Sequence, residues 1–425
     1  MNMKKTIYLF YILYTLYMIL VCGSTNLSIL YVLPAIVMLW LFFISMIIGY
    51  NSYNTKNKLV RNDDVKIIGT KIVNLSCMQY LIISAICLII SVVSAKYYTG
   101  NSFTEVIKSL MANESNYYIY QNNLNEINLN IFSFKRVIYP ILMGIKNIIF
   151  VYSFILLIVK LENVRLKHFL YLSILTISHL YFGLARGTNF EAYQLFVIFV
   201  YSYVSRKIMM KKKINLRLII ALGLVLTFVF VSVLKMRGAE PGYTITTHIY
   251  YDENKLFSSI FKKLTLYYLI PFSYLGFGIY YLSTMINEVW LENTISLIWS
   301  IFPFNYGESM IKKVNKLVDL GVQWVPDSAI IMSNIGVFGL ILICYLLGLF
   351  IKKINSEYGE YSIFSLIFGY IISVFFISMP NGHFLSYSSE KILLIFTLLL
   401  YLYKSKLVLK KEKGKEKFFR RKDRK

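Results

Sequence analysis

The sequence predicts an all-α integral membrane protein with about twelve transmembrane helices and both termini in the cytoplasm. Three observations predict it. The 425 residues are 57% hydrophobic and only 16% charged, whereas a soluble chain of this length carries about a quarter charged residues. The apolar residues gather into runs of the length that crosses a bilayer, about 20 residues each. The basic residues stand between those runs, which is how cytoplasmic connections are marked.

In order, the predicted spans are 6–22, 27–50, 72–95, 138–160, 168–185, 190–205, 216–234, 264–286, 328–351, 361–380 and 388–403, with a shorter twelfth at 289–304. No lipid-facing strand pattern occurs, so helices must satisfy the backbone. Lys4 and Lys5 precede the first run, and no small-residue cleavage site follows it; it reads as a retained span rather than a cleaved signal. Lys56, Lys58, Arg61, Lys66 and Lys71 place the connection 51–71 inside. Lys160, Arg165 and Lys167 do the same for 160–167, and Arg206, Lys207, Lys211, Lys212, Lys213 and Arg217 for 206–217. The segments 96–137, 235–263 and 305–327 then face outward. Parity supports the short run: with 289–304 crossing, both Lys352-Lys353 and the C-terminus return inside. Pro303 ends that run.

Residues 1–403 thus read as one polytopic domain and 404–425 as a basic cytoplasmic tail. The tail holds 12 Lys/Arg against 3 acids, a composition drawn to anionic membrane lipid. The net charge of +24 is therefore accounted for by loops and tail, and nucleic acid is not the expected partner. Cys22, Cys77, Cys87 and Cys344 are too scattered for a metal site and read as small packing residues.

The chemistry centres on Tyr181-Phe-Gly-Leu-Ala-Arg186-Gly187-Thr-Asn-Phe-Glu191-Ala-Tyr-Gln194. Arg186 sits in a short turn between two spans, facing outward against the positive-inside trend, and Glu191 follows five residues later. Ionisable residues at such a boundary are costly and are functional candidates. Arg237 also ends a span on the outward side, and each arginine precedes a glycine, Gly187 and Gly238. Glycine lets a bulky anion approach the backbone, and guanidinium binds phosphate oxygens bidentately. The pair suits a lipid pyrophosphate; the plainer alternative is snorkelling arginines, with Glu191 neutralising Arg186 as a structural ion pair.

Lys146-Asn147 and His179 are further polar groups at depth. Lys146 is a possible counter-ion to Glu191. His179, about two helical turns before Arg186, is either a hydrogen-bonded core residue or part of the same cavity. A base for a sugar hydroxyl needs a carboxylate or imidazole on this side; Glu191, His248, Asp252, Glu253, Asp327 and His383 qualify by location, and the sequence does not rank them. Glu308 and the pair Glu390-Lys391 lie in the same outward stretches. No DxD pair, HExxH, P-loop or nucleotide-binding glycine pattern occurs in a supporting context, so nothing points to a nucleotide-sugar, metal or ATP mechanism. The 36 tyrosines and 31 phenylalanines furnish interfacial belts or sugar-stacking surfaces.

With these features the chain resembles the Wzy-type O-antigen and capsule repeat-unit polymerases of bacteria. The likeness rests on Gly183-Leu-Ala-Arg186-Gly187-Thr, on Lys235-Met-Arg237-Gly238 before a long outward loop, and on Pro326-Asp-Ser-Ala-Ile-Ile-Met-Ser-Asn-Ile-Gly336-Val-Phe-Gly339-Leu. It extends over most of residues 1–403 and is mainly topological. The resemblance implies a metal-independent, cofactor-free glycosyltransferase of GT-C-like helical architecture in the bacterial plasma membrane. Its substrate would be an undecaprenyl-pyrophosphate-linked oligosaccharide, with a flippase and a chain-length regulator as partner proteins. Arg186 and Arg237, with Gly187 and Gly238, take the pyrophosphate-binding positions, and Glu191, His248 and Asp252 are the candidates for proton removal. The arginine that some members place eleven residues before a glycine has no counterpart here: Val197 and His248 stand at those spacings. The alternatives are a repeat-unit flippase, which would line a central cavity with its cations, an O-antigen ligase, and a membrane scaffold.

Overall fold

A computed structural model describes residues 2–53, 74–112, 116–129, 134–160, 165–236, 244–246, 248–261, 269, 276–290, 306–320, 325–382, 384–385 and 389–405. Among these, seven helices are long and apolar enough to cross a membrane. They are α1 (Asn2–Cys22), α2 (Ile29–Ser52), α3 (Cys77–Thr99), α6 (Lys135–Lys160), α7 (Leu166–Arg186), α9 (Leu216–Met236) and α13 (Asp327–Tyr358). Three more helices lie alongside them: α8 (Phe190–Met209), α14 (Ile363–Ser378) and α15 (389–405). The protein is an all-α membrane protein. The expected span 289–304 falls largely outside the described residues, and of 264–286 the second half is helical.

The ten helices alternate in direction. Short turns make hairpins of α1–α2, α7–α8, α8–α9 and α13–α14. Contacts at two levels show which neighbours run parallel: Met3 meets Gly369, Tyr80 meets Tyr171 and Asn147 meets Ser389, each nearer its helix start than the bonds that follow. Ser91 and Ser178 meet at 2.9 Å between α3 and α7. The Tyr11 hydroxyl donates to the Phe376 carbonyl at 3.0 Å between α1 and α14. Tyr152 and Thr397 meet at 3.1 Å between α6 and α15. Consequently α1 begins and α15 finishes at one end of the bundle, together with the basic stretches 160–167, 206–217 and 352–353. We call this the basic end.

The opposite end carries the long connections, and they are folded. Residues 96–137 hold α4 (Phe103–Met111) and α5 (Tyr117–Leu129). Ser102 and Glu105 cap α4 reciprocally, the Ser102 amide donating to the Glu105 carboxylate at 2.5 Å and the Glu105 amide to the Ser102 hydroxyl at 3.4 Å. That backbone donor holds the Glu105 carboxyl below its ordinary value. Residues 235–263, read from sequence as plain loop, contain the strands β1 (Thr244–Thr246) and β2 (Ile249–Tyr250) and α10 (Leu256–Phe261). Further on come α11 (Phe277–Thr284), continued as a π-helical turn through Trp290, and α12 (Tyr306–Leu317).

The tightest helix contact joins α2 and α13. Gly49 faces the Tyr345 backbone and Gly348 faces the backbones of Met46 and Tyr50, so neither position has room for a Cβ. The Ser45 hydroxyl donates to the Ile341 carbonyl at 2.8 Å across the same seam. Small residues that let backbones approach, plus a hydroxyl bond, are what hold helices together where lipid removes the hydrophobic drive.

α13 is broken at Gly336 (φ 74°, ψ 172°), a conformation open essentially to glycine alone. The segment before the break starts at Asp327, fully buried, whose carboxylate accepts from the amides of Phe384 (2.7 Å) and Leu385 (3.2 Å). Asp327→Ala should orphan both amides and lower stability by about 1–3 kcal/mol, read as a reduced thermal midpoint of the purified protein in detergent.

Candidate functional site

Arg186 is the last residue of α7. Gly187 follows in the left-handed conformation (φ 61°, ψ 36°) and closes the helix, its amide donating to Leu184 while that of Thr188 donates to the Gly183 carbonyl at 2.9 Å. Two residues later α8 starts, so Glu191 in its first turn is folded back against the arginine. Arg186 and Glu191 form an ion pair, both buried at 6% and 4% exposure. The Thr188 hydroxyl donates to the second Glu191 oxygen at 3.3 Å. A carboxylate in the first turn of α8 also meets the positive end of that helix.

A second cation shares the site. Lys146 of α6 is 2% exposed and within electrostatic reach of both Glu191 and Arg186. The two cations flank one ring: the Arg186 guanidinium lies 4.6 Å and the Lys146 ammonium 5.8 Å from the centre of Phe182. The Arg186 guanidinium is also 5.8 Å from the Tyr120 ring, which brings a helix of the 96–137 segment over the cluster. His179 is buried and stacks on Phe150 at 4.2 Å.

One turn further into α8, Gln194 opens a second polar chain. Its amide donates to Asn147 at 3.2 Å and to the carboxylate of Glu390, in the first turn of α15. Asn147 in turn donates to the Ser389 carbonyl at 3.4 Å. Glu390 is 1% exposed, and its second oxygen has no hydrogen-bond partner among the described residues.

The structure therefore brings together Arg186, Gly187, Glu191 and Lys146, adds Gln194, Asn147 and Glu390, and sets His248 and Asp252 elsewhere. His248 is exposed in the β1–β2 turn, its carbonyl accepting from Asn26 at 2.9 Å. The Asp252 amide donates to the Ser24 carbonyl at 3.1 Å, and its carboxylate accepts the Asn254 amide at 3.0 Å. Both are thus moored to the turn between α1 and α2. Glu253 is exposed; one Asp327 oxygen accepts both amides, and its other oxygen is buried with no hydrogen-bond partner among the described residues. Arg237, Gly238 and His383 lie outside the described residues. Glu390 was read from sequence only as a residue of an outward stretch; its one signal is a carboxylate directly before an apolar run.

No family model, no curated protein and no solved structure matches the chain. The functional reading rests on the chain's own residues.

Proposed function

We propose that the protein is a lipid-linked repeat-unit polymerase of the bacterial plasma membrane. In this reading it joins undecaprenyl-pyrophosphate-linked oligosaccharides into O-antigen or capsular polysaccharide on the outer face, with about twelve spans, a GT-C-like helical architecture and cytoplasmic termini. The observation that carries it is the pair of buried cations around Phe182: Arg186 is paired with Glu191, and Lys146 stands within electrostatic reach of both. Two cations withdrawn from water side by side are costly, and an incoming diphosphate offsets that cost. The cluster lies at the end of the bundle away from the basic connections, the side expected to face outward. The helix preceding Arg237 is tied to the same turn, since the Asn189 amide donates to the Phe230 carbonyl at 3.5 Å.

The chemistry asked of the site is glycosyl transfer without a metal. An acceptor hydroxyl attacks the anomeric carbon, and the cations stabilise the charge that develops on the departing diphosphate. A flippase would need its cations midway along the bundle. Here Arg186 ends α7, and Glu191 and Glu390 lie in the first turns of α8 and α15, so most of the cluster sits near helix ends, while Lys146 reaches it from within α6.

Glycan analysis of a strain lacking this chain tests the reading. Surface glycans of one repeat unit with no long chains are expected. Lipid-linked units retained on the cytoplasmic side, with none at the surface, would instead identify a flippase.

A further inference from the structure

We propose that Glu390 is the proton acceptor of this site, a role that rests on the polymerase reading above. Glu390 is all but fully buried, yet one of its two carboxylate oxygens has no hydrogen-bond partner among the described residues. It lines a small cavity whose wall also includes Phe190, Tyr193, Gln194 and Ser378. A buried carboxylate with an open oxygen costs stability, and the cavity beside it is of the size of a single hydroxyl or water.

Placement relative to the cations supports the role. Glu191 and Gln194 are three residues apart and share one face of α8; the first holds Arg186 and the second holds Glu390. The partners of the guanidinium and of the free carboxylate are thus separated by roughly 5 Å of helix rise along α8. Gln194 holds the Glu390 side chain and is itself held by Asn147 of α6. In the transfer, the acceptor hydroxyl oxygen bonds to the anomeric carbon and its proton passes to the open Glu390 oxygen. The bond from that carbon to the diphosphate breaks, its electron pair leaving with the phosphate oxygen beside Arg186 and Lys146. Glu191, neutralised by Arg186, is not available for this task, and His248 and Asp252 are moored at the turn between α1 and α2.

The test uses purified full-length protein in nanodiscs and lipid-linked repeat units extracted from the strain lacking it. Glu390→Gln keeps the shape and the Gln194 contact. Its kcat for joining two units should fall on the order of 10²-fold or more, while binding of the extracted lipid stays within about twofold of wild type. Wild-type kcat should decline on the acidic side as Glu390 takes up a proton, and that limb should vanish from the residual Glu390→Gln activity. Glu390→Asp should recover part of the rate. Glu390→Gln working within about threefold of wild type, or losing binding and rate in equal measure, overturns the assignment and leaves the polymerase reading standing. Wild-type protein that joins no units overturns both.

Discussion

Arg186→Ala should leave cells with single repeat units and no long glycan, a loss of at least about 10²-fold in polymer, the scale expected when a main stabiliser of developing charge is removed. The single variant alone is ambiguous, because it strands Glu191 as a buried unpaired carboxylate, and breaking such a pair costs about 3–5 kcal/mol. The double variant Arg186→Met/Glu191→Leu separates the two effects. Replacing a buried ion pair by apolar groups of similar size is commonly neutral or stabilising, so its thermal midpoint should recover most of the loss, the remainder reflecting Lys146 left without its acid. Polymer should stay absent. Long glycan in the double variant would show the pair to be a structural brace only.

Gly348→Leu should be the most damaging packing change. Gly348 faces the backbones of Met46 and Tyr50, not flexible side chains, so an added side chain must push two helices apart along their whole seam. Separation also breaks the Ser45 bond to Ile341. A cost of about 3 kcal/mol or more follows from overpacking where nothing can yield. In size-exclusion chromatography Gly348→Leu should lose its monodisperse peak, and Gly348→Ala should show a smaller drop in midpoint. An unaltered melting curve for Gly348→Leu would mean the seam is looser than drawn.

The apolar runs that became α1, α2, α3, α6, α7, α9 and α13 were legible because transfer into lipid depends on each segment's own composition. Arg186 and Glu191 were legible for a similar reason: five residues and one tight turn set their meeting. The second polar chain was not. Glu390 meets Gln194 across 196 residues of sequence and Gln194 meets Asn147 across 47, and no local pattern encodes such pairings. His248 and Asp252 show the converse, since their residue types fitted the chemistry while a hairpin anchored to Ser24 and Asn26 decided their place. Gly336 was noticed as a glycine in a span, but its extended, positive-φ conformation needed coordinates.

That break divides α13 into two mechanical parts. The longer part is clasped to α2 along the glycine seam and has little freedom to shift. The shorter part, 327–335, hangs from a single joint that only glycine tolerates, and its far tip grips the amides of residues 384 and 385, a few positions before Glu390. Any tilt of that stub would be felt through Asp327 at the amides of residues 384 and 385, so substituting Gly336 would disturb a clasp that lies nearly ten residues away along the chain.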